Sequence, residues 1–161
     1  FAEKNNVNVN ASKIRNRKTE IFSSFIMKNK QKLRKSVNEI INFTKINNIK
    51  LALATSTTIN NVEAVFKSLS DQISNEDFHF IGNRSLVKNE KPNPEIYKLT
   101  LEKLNLEPDN CLAIEDTEES SKSAVSAGIK CIGFPGDYHS DDSFEMCIKK
   151  VKILDQSLFS L

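Results

Sequence analysis

Apolar positions fall into two rhythms along the chain, and the rhythms alternate. Ile14, Lys18, Ile21, Phe22, Phe25 and Ile26 recur at helical spacing, which predicts an amphipathic helix over about residues 12–29. Val37, Ile40, Ile41 and Thr44 repeat the pattern and predict a second helix ending near Asn47-Asn48. The run from Lys50 to Thr55 is then apolar without alternation, the signature of a strand buried on both faces. Thr57 or Thr58 is placed to cap a helix carrying Val62, Val65, Phe66 and Leu69. Phe78–Ile81 reads as a short strand, and Pro94 suits the first turn of a helix reaching about Asn105. Cys111–Ile114 is the next buried strand, Thr117 a helix cap, and Gly128 a helix C-terminal glycine. Lys130–Phe134 is a further strand, broken by Pro135-Gly136, and the tail adds a short helix and a strand near Val151–Leu154. Strands alternating with helices imply an α/β fold with a Rossmann-like parallel sheet. The two leading helices do not fit that alternation and read as an appendage plus the helix that returns to the sheet.

Composition narrows the class. The 161 residues are enough for a single domain with a real core. No apolar run approaches the length of a membrane span, and there is no secretory signal, so a membrane partner is not expected. Three cysteines without a CxxC pair, and two histidines outside any ligand-spaced cluster, argue against a disulfide scaffold or a zinc site. Reduced thiols and a cytoplasmic setting are the expectation, with the chloroplast stroma as the alternative for a photosynthetic eukaryote. Net charge is only +2, but residues 1–50 hold 12 Lys/Arg against 3 Asp/Glu while the remainder is net acidic. Lys28–Lys35 lacks aromatic interleaving and any reading motif, so a solvated helix face and loop is favoured over nucleic-acid binding.

Three elements fall at strand ends or in the loops above them. Thr55-Ser56-Thr57-Thr58 follows a strand, where hydroxyls and helix-start amides hold a phosphoryl oxygen or simply cap the helix. Lys91 stands in Glu-Lys-Pro-Asn-Pro, a proline-stiffened loop that either fixes an ammonium for charge stabilisation or leaves a lysine in solvent. Glu115-Asp116 end a buried strand; such hard oxygen donors suit Mg²⁺, and an acidic helix start is the other reading, since Glu118 and Glu119 follow.

In order and spacing these elements together resemble the haloacid dehalogenase-like (HAD) phosphatases. That superfamily carries a serine or threonine after the second core strand, a Lys-Pro-x-Pro loop, and an apolar-Glu-Asp-Ser/Thr element leading to Ala-Gly. The subgroup with a helical cap near the N-terminus fits best, and the similarity runs to the CbbY-like sugar-phosphate phosphatases, which act on xylulose 1,5-bisphosphate. It rests on Ile14–Glu20, Leu51–Thr57 with Asn61–Ala64, Lys91–Tyr97 and Phe134–Tyr138, and spans residues 12 to about 145.

The resemblance implies a remnant of the helical cap over residues 1–33 and a HAD-like core over 34–161. It implies that Thr55 and Lys91 are catalytic, the first holding the transferring phosphoryl group and the second neutralising its charge. Asp116 and Glu115 become the Mg²⁺ residues. Arg15, Lys18, Thr55, Ser56, Thr57, Asn61 and Lys91 become the contacts for a small phosphorylated sugar, with Arg15 and Lys18 gripping a second phosphate or, alternatively, forming a solvated helix face. A monomer with no nucleic-acid partner is expected. The family's first strand ends in Asp-x-Asp, the nucleophile and the general acid/base, and this sequence contains no such element. The chain is therefore read as a C-terminal piece, inactive alone, of a phosphatase working through an aspartyl phosphate. A phosphoglucomutase-type transferase and a non-catalytic binding module are the alternatives. Ser120, Glu118-Glu119 and Gly82-Asn83 depart from the family's usual residues.

Overall fold

The computed structural model describes residues 10–160. Helix α1 (Ala11–Lys28) begins where the Asn10 side chain accepts from the Lys13 amide at 2.9 Å. Its packing partner is α3 (Ile59–Ser68), whose buried face includes Val62 and Phe66. Between them come α2 (Val37–Ile46), with Ile40, Ile41 and Thr44 buried, and β1 (Ala52–Ala54). Strand β2 (Phe80–Gly82), α4 (Glu95–Leu104), β3 (Leu112–Glu115), α5 (Glu118–Ser126), β4 (Lys130–Gly133) and β5 (Lys149–Lys150) complete the order.

All strand pairs are parallel, as alternation with helices requires, but they form two sheets. β1 pairs with β2, and β3, β4 and β5 pair in that order. The larger sheet is covered on both faces. One face packs Ala113 and Cys131 against Ile96, Tyr97 and Leu101 of α4 and Ala124 of α5. The other packs Ile132 and Phe134 against Ile40 of α2 and Leu154 and Leu158 of the tail. Burial of this apolar set, at roughly 25 cal/mol per Å², is the main term holding the layers together.

Helix ends follow the predicted chemistry. Thr117 caps α5, its hydroxyl accepting from the Ser120 amide, and Gly128 closes the helix at φ 87°. Thr58 occupies the cap position of α3, yet its buried hydroxyl finds no hydrogen-bond partner among the described residues. Two boundaries and one burial pattern differ from the sequence reading. β2 begins two residues later than Phe78, because Asn75–Asp77 form a helical turn capped by Ser74. The tail strand is Lys149–Lys150, and the helical turn follows it at Gln156–Ser160. β1 is only half-buried, because one of its edges and part of its faces open onto a cavity.

β4 ends against a close contact. A Cβ on Gly133 would stand 2.5 Å from Cδ1 and 2.8 Å from Cγ of Phe144, a buried ring whose backbone is held at φ 53°. The ring cannot swing away cheaply, since overpacking of this kind costs about 1–3 kcal/mol. Gly133→Ala should therefore lower unfolding free energy by about that amount in urea titration. An unchanged midpoint would mean that the Phe144 ring has room to move.

Candidate active site

The site gathers at the carboxyl ends of β1 and β3. Its centre is Lys91, whose preceding Glu90 and following prolines form the loop into α4. The Lys91–Pro92 peptide is cis. The Lys91 ammonium donates to the Ala54 carbonyl at 3.0 Å and to Glu115 Oε1 at 2.5 Å. Both side chains are nearly enclosed, at 6% and 9% exposure. A buried charge is tolerated only when paired and hydrogen-bonded, and here each charge supplies the other's partner.

Tyr97 completes the arrangement. One turn into α4 and buried, it donates its hydroxyl to the same Glu115 oxygen, and its ring centroid lies 5.0 Å from the Lys91 ammonium. Burial, with the neighbouring Glu115 carboxylate, pushes the Tyr97 phenol well above its ordinary range. Two donors on Oε1 orient the carboxylate. Sequence reasoning placed Tyr97 within the Lys91 motif but gave it no role. The available signal was a polar-tipped aromatic three residues after a proline-started helix, on the face that must pack inward.

The hydroxyl loop after β1 is internally wired. Thr55 Oγ1 accepts from the Thr57 amide at 3.2 Å, and the Arg84 amide donates to the Thr57 carbonyl at 2.8 Å. Asn61, buried in α3, donates its amide to Thr57 Oγ1 at 2.8 Å and accepts from Ser23 Oγ of α1 at 3.0 Å. Asn61 thus lies beneath the loop and ties it to α1. Thr55, Ser56, Thr57, Lys91, Glu115, Asp116 and Lys18 all line one cavity of about 1060 Å³. Lys18 and Ser56 are exposed. The Arg15 side chain lies outside the described residues.

Asp116 is exposed at the mouth, beside enclosed Glu115. Two adjacent carboxylates at a strand end are chemically suited to a hard divalent cation with retained waters. Among the described residues no group of three or more metal-ligating side chains gathers, so this chain offers a partial ligand set. Glu118 is not part of it. Its Oε1 accepts from Ser143 Oγ at 2.6 Å and from the Phe144 amide at 2.9 Å, and these donors hold its carboxyl below the ordinary range. The cleft thus brings together a phosphate-suited hydroxyl loop, a fixed ammonium and two carboxylates, at the strand ends where open α/β sheets place their ligands.

Comparison with known proteins agrees with that class. Residues 2–134 match the model of the haloacid dehalogenase-like hydrolase family, and the chain belongs to it. Within the family its likeness runs to the CbbY proteins. It is 34% identical over 127 residues to protein CbbY of Cereibacter sphaeroides, covering 79% of this chain and 55% of that protein. It is 37% identical over 120 residues to the phosphorylated carbohydrates phosphatase of Thermotoga maritima, covering 74% and 52%. The crystal structure of a CbbY variant from Rhodobacter sphaeroides in complex with xylulose-(1,5)bisphosphate superposes with a TM-score of 0.81 at 31% identity, over 87% of this chain and 62% of that one. The chain spans about half the length of the curated relatives it matches.

The raised Tyr97 phenol has a definite sign. The fold favours the neutral hydroxyl, so its contribution is complete below the ordinary phenol range and is lost as pH rises above it. Alkaline titration followed by phenolate absorbance should show a step above that range, coincident with loss of tertiary structure. Tyr97→Phe should abolish the step. A step that persists in the variant would assign the late proton to another group.

Proposed function

We propose that the intact protein is a magnesium-dependent phosphatase of small phosphorylated sugars. The observation that carries this reading is the convergence of Thr55, Lys91, Glu115 and Asp116 on one cavity at the carboxyl ends of parallel strands. In it, the Thr55 hydroxyl and the amides of the following loop hold oxygens of the transferring phosphoryl group. The Lys91 ammonium, fixed by Ala54 and Glu115, offsets negative charge on that group and needs little reorganisation during reaction. Asp116 and Glu115 would hold Mg²⁺, which when bound adds positive charge against the phosphoryl oxygens. The attacking group is an aspartate of an Asp-x-Asp element, which forms an aspartyl phosphate that water then cleaves. No Asp-x-Asp occurs in the 161 residues, so the chain by itself is expected to be inactive.

A bisphosphate of a five-carbon sugar is the favoured substrate. Lys18 of α1 reaches the same cavity as Thr55 and Lys91, a position from which its charge binds a second, non-reacting phosphate, and Arg15 one turn earlier is its proposed companion. The xylulose-(1,5)bisphosphate held by the CbbY relative supports that choice. In this reading residues 1–33 belong to a cap that closes over the core of residues 34–161. The enzyme acts as a monomer in the cytoplasm, or in the stroma of a photosynthetic eukaryote. No described helix is long and apolar enough to cross a membrane.

The test uses the intact protein with Mg²⁺ and a sugar bisphosphate. Lys91→Ala should reduce phosphate release by roughly 10²–10³-fold, the scale for loss of a preorganised electrostatic contact. Activity retained within a few-fold would remove Lys91 from the mechanism. Transfer of the phosphoryl group to added sugar monophosphate rather than water would replace the phosphatase with a mutase.

A further inference from the structure

We propose that Cys131 and Cys147 are a reversible redox pair, joined into a disulfide by exchange with an oxidised low-molecular-weight thiol such as glutathione disulfide. The inference is independent of the phosphatase reading, since neither cysteine lines the cavity of Thr55 and Lys91. Both thiols are free in the structure.

The fold, not the sequence spacing, makes the pair. Alternate residues of a strand share a face, so Cys131 and Gly133 of β4 point the same way. The Phe144 ring stands over Gly133 on that face, where a Cβ would meet it. Phe144 and Cys147 are the two ends of one turn, in which the Cys147 amide donates to the Phe144 carbonyl at 2.9 Å. The next amide, that of Ile148, donates to the Cys131 carbonyl at 2.9 Å. These two hydrogen bonds set Cys147 beside Cys131. Its side chain packs against the cluster that holds Cys131, and the two thiols come within hydrogen-bonding reach of each other. Cys111 is excluded by register. It stands two residues before Ala113, the β3 partner of Cys131. Strand spacings of about 3.3 Å along and about 4.8 Å across put those Cα atoms about 8 Å apart, beyond the span of a disulfide.

Exposure sets the order of events. Cys131 is fully buried and Cys147 half-buried. Burial, with the adjacent Cys147 thiol, pushes the Cys131 thiol up to about 12, which makes it a poor first nucleophile. Cys147 therefore reacts first. Its sulfur attacks one sulfur of glutathione disulfide, the S–S bond breaks, and the departing glutathione takes the Cys147 proton. The Cys131 sulfur then attacks the Cys147 sulfur, and the second glutathione leaves with the Cys131 proton. Two protein thiols and one glutathione disulfide become one protein disulfide and two glutathiones. The bond closes residues 132–146 into a loop. Ser143 and Phe144 in that loop hold Glu118 at the start of α5, so oxidation ties down the segment that grips this helix end.

The test incubates the intact protein under native conditions with glutathione disulfide and maps its peptides by mass spectrometry. A link between Cys131 and Cys147 is expected, reversed by dithiothreitol. Cys131→Ser should instead accumulate a glutathione adduct on Cys147. Cys147→Ser should leave Cys131 unmodified, and Cys111→Ser should form the link as the unaltered protein does. The linked protein should unfold at higher urea concentration, because the bond restricts the unfolded chain. No link, a link through Cys111, or a lasting glutathione adduct on Cys147 of the unaltered protein would overturn the proposal. So would glutathione on Cys131 in the Cys147→Ser protein, or a urea midpoint that the link leaves unchanged or lowers. None of these readouts requires phosphatase activity.

Discussion

The buried contact of Lys91 with Ala54 and Glu115 is the constraint on which the site is built. One ammonium joins two sheets that share no backbone hydrogen bond, linking the last carbonyl of β1 to the last carboxylate of β3. Removing either charge would strand the other in an enclosed place, which costs several kcal/mol, whereas the pair together is close to balanced. The contact therefore contributes position more than stability. It fixes where the ammonium stands, and Tyr97, donating to the same oxygen, fixes where the carboxylate stands. Tyr97 can do so because α4 begins at the loop that carries Lys91, so one short segment delivers both groups.

The hydroxyl loop is held by a different hierarchy. Thr55 is fixed by the Thr57 amide, Thr57 by Asn61, and Asn61 by Ser23 of α1. The chain of contacts runs from a helix outside the sheet to the phosphate-suited hydroxyl. A shift of α1 against α3 would therefore be felt at Thr55 through three hydrogen bonds. The connector from α1 to α2 is tied down as well. Gln72 accepts from the Leu33 amide and donates to the Gln31 carbonyl, and Arg34 donates to the carbonyls of Phe134 and Pro135 while stacking on the Phe134 ring. Rigid attachment at both ends leaves α1 a defined, rather than loose, relation to the loop it touches.

Much of this was legible from residue order. Helix positions followed from 3.6-residue spacing, and Thr117 and Gly128 were readable as caps because each acts within a turn of its own position. Glu115 and Thr55 were readable because they fall at predicted strand ends, and Lys91 because it stands in a loop stiffened by two prolines. What escaped was non-local. Half-burial of β1 depends on which edges find partners across the fold, and an apolar run of four residues carries no record of that. Tyr97 acquires its role from Glu115, 18 residues away, and Glu118 is drawn from the cleft by Ser143 and Phe144. The late start of β2 was a local failure: Ser74 with Asp77 forms a capping box that outweighs the aromatic run after it.

The charge asymmetry of the sequence also has a structural answer. The basic first fifty residues suggested either a solvated face or a binding arm, and the fold pairs part of that charge with its own acidic remainder. Lys30 pairs with Asp71 at 2.9 Å and Lys45 with Asp77 at 2.7 Å, joining the connector after α1 and helix α2 to the segment after α3. These pairs are partly exposed and contribute about 0–1 kcal/mol each, too little to decide the fold. Their effect is to set two of the twelve cations of the first fifty residues against carboxylates of the remainder. Lys18 differs from them in facing the cavity of Thr55 and Lys91. Lys18 and Lys91 stand beside a loop of hydroxyls, and Glu115 and Asp116 line the same cavity, so the cations there are set against carboxylates rather than gathered into a basic face.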